Sequence, residues 1–229
     1  MTYKNLYLYE EIMLLAFKDK EGTIPFGTMY NFAVAGAFIA ELLLTNRIKI
    51  KHSKSRKKVV PVSNNKFGDP LLDECLEILS NSRKERDLKT WINRFANMKK
   101  LKNRTAKQLC KRGILRSKEK DVLLIFKKRV YPEINPEPER KLLNRLEKAI
   151  FSDRKNLDPR TIVIISLAHK AGILPHNFDK KRLKKKKDRI EKIIEGEIAG
   201  KVTEEAIKAM QAAIMAATTA ATTAAIVSN

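Results

Sequence analysis

From Met29 to Leu44 the chain reads MYNFAVAGAFIAELLL, apolar on nearly every side of a helix and interrupted only by Asn31 and Glu41. A helix without a continuous polar face has to be covered all round, by lipid or by protein. The stretch falls short of the ~20 residues a bilayer span needs and carries a carboxylate, so it is expected to be a central helix inside a protein core. Ala33, Ala35, Gly36 and Ala37 are small enough for neighbouring helices to approach closely. The segment from Thr161 to Ala171 and the alanine-threonine stretch from Ala206 to Val227 also lack a polar face, and the three helices are expected to pack together. With 229 residues there is enough chain for one sizeable core, and residues 1–229 are read as a single domain. The fold class is mainly α: a compact helical domain around central apolar helices, more than half helical, with two small β-hairpins.

Several boundaries follow from local chemistry. Leu8, Ile12 and Leu15, with Tyr9, Met13 and Ala16, repeat at helical spacing and predict a helix over residues 6–17 with one wide apolar face, ended by the stretch that contains Gly22. Asp69 before Pro70 and Asp158 before Pro159 are N-cap and first-turn signals, and Gly172 is a stop. Arg47-Ile48-Lys49-Ile50 and Val59-Val60-Pro61-Val62, joined by a basic loop, predict one hairpin. After a helix around Thr105 to Lys111 that ends at Gly113, a second hairpin is expected. It would have a strand beginning at Ile114-Leu115, a charged turn over Ser117 to Asp121 and a return strand from Val122 to Phe126. Helix followed by basic hairpin, twice, is a winged-helix-like outline. Beyond Lys180, Leu183, Ile190, Ile193 and Ile194 share a helical face despite the lysine run, which predicts a packed helix with a basic outer surface.

The charge balance, 48 Lys+Arg against 26 Asp+Glu for a net +22, favours encounter with a polyanion, either nucleic acid or an anionic membrane. The cations concentrate in three places: Arg47 to Lys58 around the first hairpin, Lys99 to Arg112 before the second, and the run after Lys180. A solvated face accounts equally well for the third. In the second cluster the cations lie beside Val122-Leu123-Leu124-Ile125-Phe126, which reads either as a core strand or as an apolar membrane-contacting loop.

Little else suggests chemistry. No phosphate-binding glycine loop, paired metal-ligating histidines or nucleophile elbow is present, so no enzyme, no cofactor and no metal is expected. Cys75 and Cys110 read as free thiols, and His169 as a core histidine. Asp69, Asp73 and Glu74 read as helix-start carboxylates in preference to a metal site. The first apolar stretch, broken by Glu10 and Glu11, does not read as a secretory signal.

The segments LYLYEEIMLLAFKDKEG, AELLLTNRIKI, GDPLLDECLEIL, the TWI at Trp91, AKQLCKRGIL with VLLIF, and ISLAHKAGIL resemble, in order and spacing, the Golgi phosphoprotein 3 family. The resemblance implies a mostly helical fold and binding of phosphatidylinositol 4-phosphate in a basic pocket, beside a hairpin whose apolar tip dips into the bilayer. In eukaryotic members that binding serves Golgi attachment and retention of glycosyltransferases through their cytosolic tails. Carried over by position, Lys99 and Lys102 stand where the family has two arginines, with Arg104 beside them. The family's pocket aromatic aligns with Phe26 or Gly27, its arginine on the second helix falls on Ala35, and Val122, Leu123, Leu124 and Ile125 form the membrane-inserting hairpin. The start of the chain close to its first helix and its alanine-rich end look like the bacterial branch of the family, for which coat binding is not implied.

The leading expectation is therefore a cytoplasmic, peripheral membrane protein that binds phosphoinositide or other anionic headgroups. Its partners would be the membrane surface and the tails of membrane enzymes, with self-association left open. The alternative is a winged-helix-like nucleic-acid binder, with an enzyme acting on lipid headgroups third.

Overall fold

A computed structural model describes residues 6–53, 56–122 and 126–198. The elements run α1 (Leu8–Ala16), α2 (Tyr30–Leu44), β1 (Ile48–Ser53), β2 (Arg56–Pro61), α3 (Pro70–Ser80), β3 (Arg86–Asp87), α4 (Leu88–Ala96) and α5 (Leu101–Lys111). They continue with β4 (Lys118–Val122), β5 (Phe126–Val130), α6 (Glu137–Phe151), α7 (Pro159–Lys170), α8 (Leu174–Asn177), α9 (Lys180–Lys185) and α10 (Lys187–Glu195). More than half of the described residues are helical, and the strands form two small antiparallel sheets, as the mainly α reading expects.

α2 is the central helix predicted. Residues 32–42 are all buried, and α1, α4 and α7 pack around it. α7 is buried from Thr161 through Ala168, whereas the third apolar helix, Ala206 to Val227, lies outside the described residues. The small residues of α2 leave room for rings from its neighbours. Tyr9 lies 5.0 Å from Phe38, Phe38 6.4 Å from Phe95, and Phe95 5.8 Å from Trp91, which joins α1, α2 and α4 through aromatic contacts worth roughly 0.5–1.5 kcal/mol each beyond burial.

α1 departs from its expected amphipathic placement, because all nine of its residues are buried, Glu10 and Glu11 included. Burial is tolerated because arginines from other helices meet the two carboxylates: Arg112 donates to Glu10 at 2.7 Å and Arg145 to Glu11 at 2.8 Å. Helix starts agree with the local reading. Asp69 Oδ1 accepts from the amides of Leu71 and Leu72 at 3.0 and 2.9 Å, and Asp158 from that of Thr161 at 3.0 Å. Asp73 accepts from the Phe67 amide at 2.6 Å just before α3, while Glu74 pairs with Arg104 and ties α3 to α5. In α10, Ile190 and Ile193 are buried and Ile194 packs against the core, as does Leu183 of α9, with a break between the two helices at Lys186.

The hairpins differ in detail from the prediction. The first gains a third strand, β3, paired to β2 through Lys58 with Asp87 and Val59 with Arg86. In the second, Lys118 to Asp121 is a strand and not a turn. β4 pairs with β5 in the register Lys118 with Val130 through Val122 with Phe126, and residues 123–125, outside the described set, lie between them in sequence. Ile114-Leu115 contributes only a bridge from Leu115 to Glu133. An apolar strand pattern is needed where one face is buried, but residues 118–121 and 127–129 are all exposed, and Glu119 reaches both Lys127 and Arg129 across the ribbon. A ribbon open to water on both faces can therefore be built from charges.

The loop between α1 and α2 ties this ribbon to the core. Gly22, at φ +59°, accepts a bond from the Tyr131 amide at 2.9 Å, and a Cβ there would stand 2.2 Å from the Pro132 nitrogen. Only glycine permits that approach.

Candidate headgroup-binding site

Between the start of α2, the end of α4 and the start of α5 lies an open cavity of about 460 Å³, lined by Tyr30 and Asn31, by residues 96–98 and by residues 100–103. None of its lining residues is acidic. α5 begins here without a side-chain cap. Its N-cap residue, Lys100, holds a left-handed conformation at φ 56°, and the amides of Lys102 and Asn103 find no acceptor among the described residues. A non-glycine residue in that region costs on the order of 1 kcal/mol, and such strain tends to gather at functional sites. An open helix N-terminus also presents a partial positive charge of ~0.5.

Lys102 is half-buried. Partial desolvation, with Lys128 of β5 contributing repulsion, holds its ammonium below the usual lysine range. Neither Lys102 nor Lys100 pairs with a carboxylate among the described residues. The cavity thus gathers positive charge with no internal counter-ion, a condition that an incoming anion relieves.

The sequence-derived residues divide around this site. Lys102 lines it, and Lys99 is exposed immediately before it without lining it. Arg104, expected among the headgroup ligands, faces away and is held by both carboxylate oxygens of Glu74 on α3, with Nη1 to Oε1 at 3.2 Å. The reason is helical geometry: two residues beyond Lys102 the side chain has turned to another face of α5. Phe26, expected as a headgroup contact, does not line the cavity and is entirely exposed. Ala35 is fully buried, so α2 supplies no cation at that position. Leu123, Leu124 and Ile125 lie outside the described residues, as does the Val122 side chain, and the structure places only the ends of their hairpin. Tyr30 and Asn31 were missed by the sequence reading, and Lys100 was read only as part of the basic cluster from Lys99 to Arg112 and not as a headgroup residue.

A second cluster gave no sequence signal. Carboxylate oxygens of Asp19, Glu133 and Glu139 lie within 4.8 Å of one another where the α1–α2 loop meets the base of β4–β5. Burial, then the charges of Asp19 and Glu133, push the Glu139 carboxyl up to about 9. The group has the size to hold a cation, and three carboxyls this close also favour holding a proton among them. His169 is half-buried and not in the core, its Nε2 3.8 Å from Glu191 of α10. Cys75 and Cys110 are free thiols. No described helix is long and apolar enough to cross a membrane.

Vacuolar protein sorting-associated protein 74 of Eremothecium gossypii is 25% identical over 201 residues, which cover 74% of this chain. The chain spans about 60% of the length of that relative. The profile described as Golgi phosphoprotein 3 (GPP34) matches residues 8–210, and on a match of that extent the chain belongs to the Golgi phosphoprotein 3 family.

Proposed function

We propose that this protein is a peripheral membrane protein that takes the phosphate of an anionic lipid headgroup into the cavity at the start of α5. By family resemblance that headgroup is phosphatidylinositol 4-phosphate. The observation that carries the reading is the convergence, on one cavity without a carboxylate, of an uncapped helix N-terminus with Lys100 and Lys102, which have no carboxylate partner among the described residues. A phosphate monoester would accept from the two free amides and the two ammoniums at once. Tyr30, Asn31, Asn97 and Asn103 offer neutral donors and acceptors to a polyhydroxylated ring. Lysines in place of arginines make this a site of point charges with less geometric discrimination among phosphates. The β4–β5 hairpin, whose Lys128 lies near Lys102, would face the same bilayer. Binding in this way involves no covalent step, and the protein would act as an adaptor between the membrane and the tails of membrane enzymes.

Co-sedimentation tests this directly. Vesicles containing phosphatidylinositol 4-phosphate are expected to retain the protein better than phosphatidylserine vesicles of equal charge. Lys102→Glu should weaken retention roughly 5- to 30-fold, the equivalent of about 1–2 kcal/mol. Reversing the exposed Lys184 and Lys185 of α9 should matter little. Equal damage from both changes would mean a diffuse charged surface and no pocket.

A further inference from the structure

We infer that the turn bearing Phe26 is a second membrane anchor, whose ring enters the apolar layer of an anionic bilayer while the cavity holds a headgroup. The inference rests on the lipid-binding reading above and adds to it a place of insertion separate from the β4–β5 hairpin.

Phe26 is 106% exposed, against 55% and 47% for Val62 and Ile134, the other large hydrophobics in the open among the described residues. The other phenylalanines with described side chains are buried or half-buried. A phenyl ring that touches nothing in its own protein has its whole apolar surface left to bury, which insertion into an apolar layer would do. The turn also holds the ring in place. Pro25 precedes it with a fixed φ, Gly27 follows at φ +83°, and the Thr28 hydroxyl donates to the Pro25 carbonyl at 2.9 Å, closing the chain around Phe26. Both ends of the loop are anchored beside the proposed membrane face. Gly22 is pressed against Tyr131 and Pro132 at the base of the hairpin, and the Met29 amide donates to the Ala171 carbonyl just before Tyr30 enters the cavity wall. The aromatic tip therefore lies on the stretch of chain that links hairpin base to cavity.

Charge selects the occupant. A second copy of the chain would bring its own net +22 against the same cations, whereas an anionic bilayer supplies negative headgroups at the cavity and hydrocarbon at the ring. An aromatic side chain at a basic surface is the composition that interfacial anchors use.

The test uses Phe26→Trp and vesicles of phosphatidylserine with brominated phosphatidylcholine. The single native tryptophan, Trp91, is 1% exposed, and its emission in the wild type provides the background. On binding, the new indole is expected to shift to shorter wavelength and to be quenched by the bromines. Adding Lys102→Glu should raise the lipid concentration needed without changing the emission at saturation. Because the ring has no protein contact, Phe26→Ser should leave the melting temperature unchanged and weaken binding to the unbrominated vesicles roughly tenfold. An unquenched indole on bound protein, or unchanged affinity of Phe26→Ser, overturns the inference. So does a fall in solution mass on Phe26→Ser, which would name a second copy as the occupant. A wild type that binds no anionic vesicle removes the lipid reading itself, and the anchor with it.

Discussion

Replacing Arg160 with Ala is expected to destabilise the protein by about 3–5 kcal/mol, seen in urea denaturation as a lower midpoint at unchanged slope. The Glu41 carboxylate on α2 is 2% exposed. It is compensated by Arg160 on α7, which donates through Nη1 at 2.6 Å and Nη2 at 3.2 Å, and by the Leu8 amide at 2.7 Å. The same guanidinium reaches the Leu6 carbonyl at 2.9 Å, so one side chain fastens the start of α1 to both central helices. Truncation leaves a buried charge without its counter-ion, the costly way to break such a pair. Lysine should rescue only in part, because a point charge cannot serve both carboxylate oxygens and the carbonyl. Glu41→Gln in the Arg160→Ala background should recover stability by removing the stranded charge while keeping an acceptor for Leu8. A loss below about 1 kcal/mol for Arg160→Ala would show that the pair contributes little more than a surface ion pair.

The stability of the protein is expected to fall as pH rises from weakly acidic to alkaline, and Glu139→Gln should remove much of that fall. Glu139 has a folded value of about 9 against 4.5 for an ordinary glutamate. Between these values the native state keeps a proton that the unfolded chain has released. Its stabilising contribution is therefore complete below the unfolded value and is lost as pH climbs toward the folded one, by at most about 1.4 kcal/mol per pH unit. The groups facing Glu139 are the carboxylates of Asp19 and Glu133. No described cation pairs with any of the three, and the neighbouring Lys141 is engaged with Glu137. Thermal melts should show the glutamine variant near parity with wild type at about pH 5 and clearly more stable at about pH 8. Parallel pH profiles for the two proteins would mean that the cluster holds no shared proton.

Much of this architecture was legible because the relevant information is local. Met29 to Leu44 has no polar face, so any folded form must bury it, and α2 is buried from Phe32 to Leu42. Asp69-Pro70 and Asp158-Pro159 start helices because an acceptor and a missing donor sit where the first turn needs them. Lys102 lines the cavity, as a cation that recurs near helical spacing in a basic stretch would if that stretch shares one face.

Three features were decided only by the tertiary structure. Glu10 and Glu11 looked like a break in the apolar face of α1, but they are buried because arginines 102 and 134 positions away meet them. Arg104 belongs to Glu74, 30 residues earlier, although its neighbours in sequence point to the cavity. Residues 118–121, read as part of a turn, are strand, because that ribbon is exposed along its charged length and no apolar alternation marks the register. Periodicity reports which residues must leave water. It cannot report which distant charge will meet a buried one, and that choice depends on through-space distances that the fold alone sets.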